Sequence, residues 1–212
     1  PDYLERYEPD PLRYAIASNM PETSDSDFSW REYVRSNNDE LVATYGNLVH
    51  RVLTMVVRNF DSTVPDPGTT DDLGLGLLDQ AKKSLADTAA NIEACKFRAA
   101  LFAAMSLAQA TNRYLDQKAP WRAIRMDRKD AATTLWVCLA VINCLKSALY
   151  PFLPFSSQKL HNMLGFTGDV QDLGWGWDPD ALQPGHQLSE IQPLFAKLDE
   201  DIIEKETQRI GR

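Results

Sequence analysis

Between Asp130 and Tyr150 the chain carries a helical pattern that is apolar on most of its sides: Leu135, Trp136, Cys138, Leu139, Val141, Ile142, Leu145 and Leu149. A surface helix shows a single apolar stripe, whereas one that is apolar nearly all round has to be enclosed by other elements. An enclosed helix needs several neighbours to cover it, so the chain reads as a bundle built around this segment. Asn143, Lys146 and Ser147 interrupt the apolar run at 135–149, which makes it too short and too polar for a membrane span. Pro151 stops the helix, Pro154 opens another, and Gly165 closes that one.

The other segments supply the cover. Ser29 with Glu32 fits a capping box that opens one long helix over 30–60. Leu41, Tyr45, Leu48, Val49, Val52, Val56 and Phe60 form its apolar stripe, and Asn47, Arg51, Thr54 and Arg58 fall on the opposite side. DSTVPDPGTT (61–70) is a turn-rich linker. A helix over 71–92 is weakened early by Gly74 and Gly76, and another runs from about Cys95 to Lys118 with Phe97, Leu101, Met105, Ala108 and Leu115 inward. Tyr114 reads as a packing residue. At the start, Asp10 reads as an N-cap with Pro11 at the first helical position, for a helix to about Asn19. MPETSDSDF (20–28) is a polar connection. Residues 166–193 form an ordered loop in which Trp175 and Trp177 act as clamps, and a last amphipathic helix covers Leu198–Ile210. No strand alternation emerges. The fold class is all-α, a helix bundle of five or more helices. It divides into a connecting segment (1–28), the bundle (29–165), and a loop with a C-terminal helix packed on it (166–212).

Residues 111–125, TNRYLDQKAPWRAIR, contain a corner. Proline lacks a backbone N–H and disfavours helical geometry in the residue before it, so the helix ends near Lys118 and Pro120 turns the chain. Trp121 follows, then Arg122 and Arg125. An aromatic on a rigid turn, ringed by cations, is a platform on which a base from a single-stranded loop can stack. It is equally the pattern of a core tryptophan pinning the next helix. The net charge of −8 argues against a generic nucleic-acid binder. Its distribution is uneven. Residues 112–129 hold six cations and two anions, leaving 16 cations and 28 anions for the rest of the chain. An acidic body with one basic face restricts where a polyanion can dock; the alternative is a solvated helix surface. Asn112 fits an RNA contact or a structural hydrogen bond.

With 44% hydrophobic and 25% charged residues, the 212 residues suffice for one substantial core. Three cysteines without a CxxC pair and three scattered histidines imply reduced, mostly buried thiols and no zinc or disulfide framework. No signal peptide precedes Pro1, so the cytoplasm is the simplest expectation. No nucleophile and base stand at convincing spacing, and Asp71/Asp72 and Glu200/Asp201 look like helix-end charges.

NRYLDQKAPW (112–121) resembles the anticodon-loop corner of methionyl-tRNA synthetases, and NNDELVATYGNLVHR (37–51) resembles that family's long first anticodon helix. DPLRYAIASNMPETSDSDFSW near the start, PFLP at 151–154 and the late GHQLSEIQPLFAKLD follow in the family's order, so the resemblance covers nearly the whole chain. Related class I synthetases also carry forms of LRY and APW. The resemblance implies an anticodon-binding bundle in which Asn47 and Arg51 read the first anticodon base and Trp121 stacks near it. Further RNA contacts are expected at Arg58, Asn112, Arg113, Lys118, Arg122 and Arg125. Arg13 occupies a possible positioning place in the family, although an exposed helix cation fits as well. His186 falls in a family segment that packs back on the body. The catalytic signatures of the family, a HIGH-type motif and a lysine-rich loop, are not in this sequence, and neither is a Gly-rich phosphate loop. The implied parent enzyme joins methionine to tRNA using ATP and Mg; this chain is expected to hold no cofactor, metal or catalytic residue. Its implied partners are the anticodon loop of methionine tRNA and the enzyme's own catalytic domain, with no membrane. Two rival readings stand beside this one: the same module from a leucine, isoleucine or valine enzyme, and a helical scaffold for a protein partner.

Overall fold

The computed structural model describes residues 3–22 and 27–210. Among these residues there are nine α-helices and no strand; the sole sheet-like pairing is an isolated bridge between Thr63 and Gln187. The helices are α1 (Pro9–Ser18), α2 (Trp30–Arg35), α3 (Asn47–Asn59), α4 (Asp72–Glu93), α5 (Phe97–Lys118), α6 (Pro120–Met126), α7 (Arg128–Leu149), α8 (Pro154–Met163) and α9 (Asp201–Ile210). Residues 23–26 of the polar connection lie outside the described part.

The central helix is α7. Every residue from Ala131 to Leu149 is buried, and α3, α4, α5, α6 and α8 all pack against it. By length and composition α7 could also cross a membrane, contrary to the sequence reading, but its apolar window is wholly enclosed by the bundle. The difference arises at the N-terminal end, where Ala131–Thr134 extend the buried stretch. Its cap is Asp127, whose carboxylate accepts from the Asp130 N–H at 3.0 Å, so the helix starts ahead of Asp130, where the sequence pattern begins. Lys146 lies inside the core rather than breaking it: it is 2% exposed and hydrogen-bonded to His161 Nδ1 at 3.1 Å. Truncating a fully buried Leu139 or Ile142 here to alanine would cost about 2–5 kcal/mol.

Residues 30–59 form one continuous helical rod, but its middle third is not α. Ser36–Gly46 is π-wound: Asn47 N–H donates back to Val42 O, and Thr44 Oγ1 reaches Asp39 O at 2.8 Å. A π stretch of this length is rare, and outside bonds support it. Asn112 Nδ2 donates to Thr44 O at 3.0 Å, Asn37 Nδ2 to Ala196 O at 3.0 Å, and Asn38 exchanges two bonds of 2.9 Å with Leu198. Gly46 is required by close approach, because a Cβ there would sit 2.9 Å from Leu41 O.

Two further readings change. α1 begins at Pro9, so Asp10 is not its cap; its buried carboxylate instead accepts from Ser156 N–H at 2.6 Å and caps α8 from across the fold. Arg13 is an exposed cation of α1, as one of its two readings had it, and it donates to the carbonyls of Phe152 (3.1 Å) and Pro151 (2.9 Å). Trp177 is the clamp expected, its Nε1 donating to Ala140 O at 2.8 Å, but Trp175 is 45% exposed and makes no side-chain hydrogen bond or ring contact among the described residues. Cys138 and Cys144 are buried, whereas Cys95 is exposed in the left-handed conformation just before α5. The late segment contributes Leu182, Leu188, Leu194 and Phe195 to the main core. Glycine is obligatory at Gly165 (φ +80), where a Cβ would meet Gln187 O at 2.0 Å. A second, smaller core joins α1, α2 and α9 through Tyr3, Leu12, Ala15, Trp30, Tyr33, Val34, Leu198 and Ile203.

Candidate nucleic-acid interface

The corner at residues 118–121 forms as its sequence dictates. α5 ends at Lys118, Ala119 adopts the left-handed conformation (φ 44, ψ 56), and Pro120 opens α6. A non-glycine residue in this conformation costs about 1–2 kcal/mol, which the corner absorbs through the bonds Ala119 N–H to Leu115 O and Arg122 N–H to Ala119 O. Pro120 is buried, so the next side chain is carried to the rim. Trp121 is 41% exposed there.

Three helices converge on it. Arg51, from α3, places its guanidinium carbon 5.4 Å from the centre of the Trp121 ring. From α5, Asp116 accepts from Arg51 Nη2 at 2.7 Å. The ion pair is open, with Arg51 30% and Asp116 61% exposed, and such pairs contribute little stability. Asn47 lies one turn before Arg51, exposed, with its amide making no hydrogen bond among the described residues. An asparagine amide, an arginine fork and an aromatic face thus share one open edge. Both polar groups supply N–H donors, which match the O2 and N3 acceptors on the ring edge of cytosine.

The remaining predicted contacts separate into two sets. Arg58, Arg113, Arg122 and Arg125 are exposed and have no carboxylate partner among the described residues. Asn112 and Lys118 are engaged within the fold. Asn112 donates to Thr44 O and also to Ala108 O (3.2 Å). Lys118 is clasped by Asp71 (3.0 Å) and Asp130 (2.6 Å). Burial opposes the charge on Lys118, but the two carboxylates outweigh it and hold its pKa above the ordinary value. Asp71 is held below the usual carboxylate range, first by the Gly74 N–H that it caps and then by Lys118. Tyr114 is buried, as packing requires.

Sequence reasoning missed Asp116 as the partner of Arg51. The two are 65 positions apart, and the only local sign is that Asp116 shares the last turns of α5 with the corner. It also missed Arg128, whose guanidinium carbon lies 4.7 Å over the Phe60 ring while Nη2 donates to Asn59 O. No group of three His, Cys, Asp or Glu among the described residues is arranged to hold a metal.

Comparison with known proteins places this arrangement. The crystal structure of the free-state methionyl-tRNA synthetase of Mycobacterium tuberculosis superposes with a TM-score of 0.82 at 27% identity, over 90% of this chain and 39% of that one. The fold is therefore that of the helical region of a class I tRNA synthetase. A family model described as the anticodon binding domain of methionyl tRNA ligase matches residues 64–212, and one described as tRNA synthetases class I (M) matches residues 1–53. The chain belongs to the methionyl-tRNA ligase family. The methionine–tRNA ligase of Dehalococcoides mccartyi is 50% identical over 210 residues, covering 99% of this chain and 38% of that protein. That of Thermomicrobium roseum is 44% identical over 237 residues, covering 99% and 40%. The chain thus spans about two fifths of the length of these relatives.

Proposed function

We propose that this chain is the part of a methionine–tRNA ligase that holds the anticodon loop and selects CAU. The observation that carries this reading is the Arg51 guanidinium, stacked on a half-exposed Trp121 and tethered to an open carboxylate beside the unengaged Asn47. In this mechanism the loop opens, its first base enters the edge between α3 and α6, and the base stacks on Trp121. Asn47 and Arg51 then donate to the base's ring-edge acceptors. Stacking contributes about 1–3 kcal/mol. Lysine in place of Arg51 would lose the planar fork that serves ring, carboxylate and base together. The chain itself performs no covalent chemistry. ATP, Mg and the transfer of methionine to tRNA belong to the rest of the enzyme, in the cytoplasm.

The test is binding of the purified chain to end-labelled anticodon stem-loops carrying CAU or GAU at two salt concentrations. Preference for CAU, abolished by Arg51→Ala, is the expected result. Equal binding of both loops would mean that readout lies elsewhere. Binding to neither would leave a scaffold for a protein partner as the surviving reading.

A further inference from the structure

Of the six cations between residues 112 and 129, the two lysines are neutralised. Lys118 is held by Asp71 and Asp130, and Lys129 by Asp66 at 3.0 Å. The four arginines have no carboxylate partner among the described residues. Arg128 differs from the other three because it is held in place without losing its charge. Its guanidinium lies over the Phe60 ring and donates to Asn59 O, and neither partner carries a formal charge. Arg128 is exposed, and one of its five N–H groups is used there. A guanidinium fixed in this way gives up little conformational freedom on meeting an anion, and its planar fork matches phosphate.

The position of Arg128 is as informative as its chemistry. The stretch from Arg51 to Phe60 meets the stretch from Trp121 to Arg128 at two places: Arg51 on Trp121 in α6, and Asn59 with Phe60 on Arg128, the first residue of α7. α6 ends at Met126 and Asp127 is not helical (φ −145, ψ 85), so the two anchors on this side stand on different helices. The two stretches meet in the same chain order. Arg58 is two turns beyond Arg51, within about 20° of the same line. Residues 51–60 contain no acid, and residues 120–129 contain only Asp127, whose carboxylate is occupied as the cap of α7. These two stretches carry the exposed arginines Arg58, Arg122, Arg125 and Arg128, while the exposed Asp116 stands with Arg51 at the Trp121 end.

Building on the anticodon reading, we infer that the surface between these two anchors seats the phosphate backbone of the nucleotides next to the base at Trp121, with Arg128 on its Phe60 support as the far anchor. Arg128 holds the strand and does not read sequence. An acidic protein segment is the competing occupant of such a surface. RNA is favoured because one of the two anchors is an exposed aromatic face suited to a base.

The experiment compares the chain with its Arg128→Gln and Arg128→Lys variants, using labelled CAU and GAU stem-loops over a salt series. Glutamine keeps a donor for Asn59 O and removes the charge. Arg128→Gln is expected to weaken both loops equally, about tenfold. The CAU preference should be unchanged, and the slope of log K against log salt should fall by about 0.7. Arg128→Lys restores the slope. Thermal unfolding of each variant verifies that the bundle is intact. An unchanged slope with Arg128→Gln overturns the inference even where affinity drops, since a purely structural residue would behave that way. Loss of the CAU preference overturns it too, because Arg128 would then be reading the base. Displacement of RNA by polyglutamate at equal charge concentration would assign this surface to an acidic peptide. If the wild-type chain binds neither loop, the anticodon reading falls and takes this one with it. If the wild type prefers CAU and only the slope test fails, the anticodon reading stands alone.

Discussion

An arginine, an aromatic ring and a carboxylate meet twice in this chain. At one end of the molecule Arg6 lies 5.7 Å from the Tyr7 ring centre and bonds to Glu206 at 2.9 Å. At the other, Arg51 lies 5.4 Å from the Trp121 ring centre and bonds to Asp116 at 2.7 Å. Parts and spacings are nearly the same, but the carboxylates differ. The Glu206 side chain is 5% exposed and also takes Tyr7 Oη at 2.9 Å and Arg209 at 3.1 Å. The Asp116 side chain is 61% exposed and, among the described residues, takes Arg51 alone. The first cluster is saturated and closes α9 onto the start of the chain. The second keeps unspent donors facing solvent. Burial of the acid, rather than the choice of residues, separates a structural clasp from a surface able to exchange one partner for another.

Crossed substitutions sharpen this contrast. Arg51→Ala should cost about 3 kcal/mol in binding a CAU stem-loop, the scale of hydrogen bonds to a charged donor, while the unfolding midpoint barely moves. Glu206→Ala should do the reverse. It leaves Arg6, Tyr7 and Arg209 without their acceptor, so chemical denaturation should show a loss of about 2 kcal/mol with RNA affinity retained. If Glu206→Ala impaired RNA binding as much as Arg51→Ala does, the two ends would be coupled and the contrast would fail.

Lys146 gives the fully enclosed limit. It lies 4.7 Å from the centre of the Phe166 ring with no carboxylate beside it, and burial pushes its pKa down to about 8. It is charged at pH 7, where Lys146→Met should be more stable by about 1–3 kcal/mol. Above pH 8 the folded lysine sheds its proton, while the unfolded one keeps it up to its ordinary value near 10.5. Wild-type stability therefore gains over this window, and the gap between the two proteins should narrow. Denaturant titrations at pH 7, 8.5 and 10 check the sign; a gap that widened would be incompatible with the buried charge. The smallest expected effect is Asp116→Asn, within about 0.5 kcal/mol of wild type in stability, as for other exposed ion pairs. A larger loss would move the Trp121 cluster into the structural category.

The legibility of the chain follows the range of the forces involved. α7 is visible because apolar residues on all sides of a helix admit one environment. The corner is visible because proline acts on its immediate neighbours. The π-wound stretch is not, since it depends on Asn112 and on Ala196 and Leu198, up to 160 residues distant. Asp10 capping α8 and Lys146 inside the core fail for the same reason: each is settled by a residue brought in by folding. At the candidate site, Asn47 and Arg51 share a face by spacing alone. That Trp121 meets them came only from the family resemblance, because nothing in residues 111–125 specifies which helix they face.

The π-wound stretch has a consequence for how this module changes over generations. Such winding accommodates surplus length inside a rod, without a loop to reveal it. Upstream of residues 36–46 the rod is fixed by Tyr33 and Val34 in the small core; downstream it presents Asn47 and Arg51. Removing one codon in between would turn one part against the other by about a quarter of a revolution, with no change to either sequence. The angle between what the protein rests on and what it touches is thus a heritable quantity, adjustable in discrete steps and kept in the residue count of eleven positions.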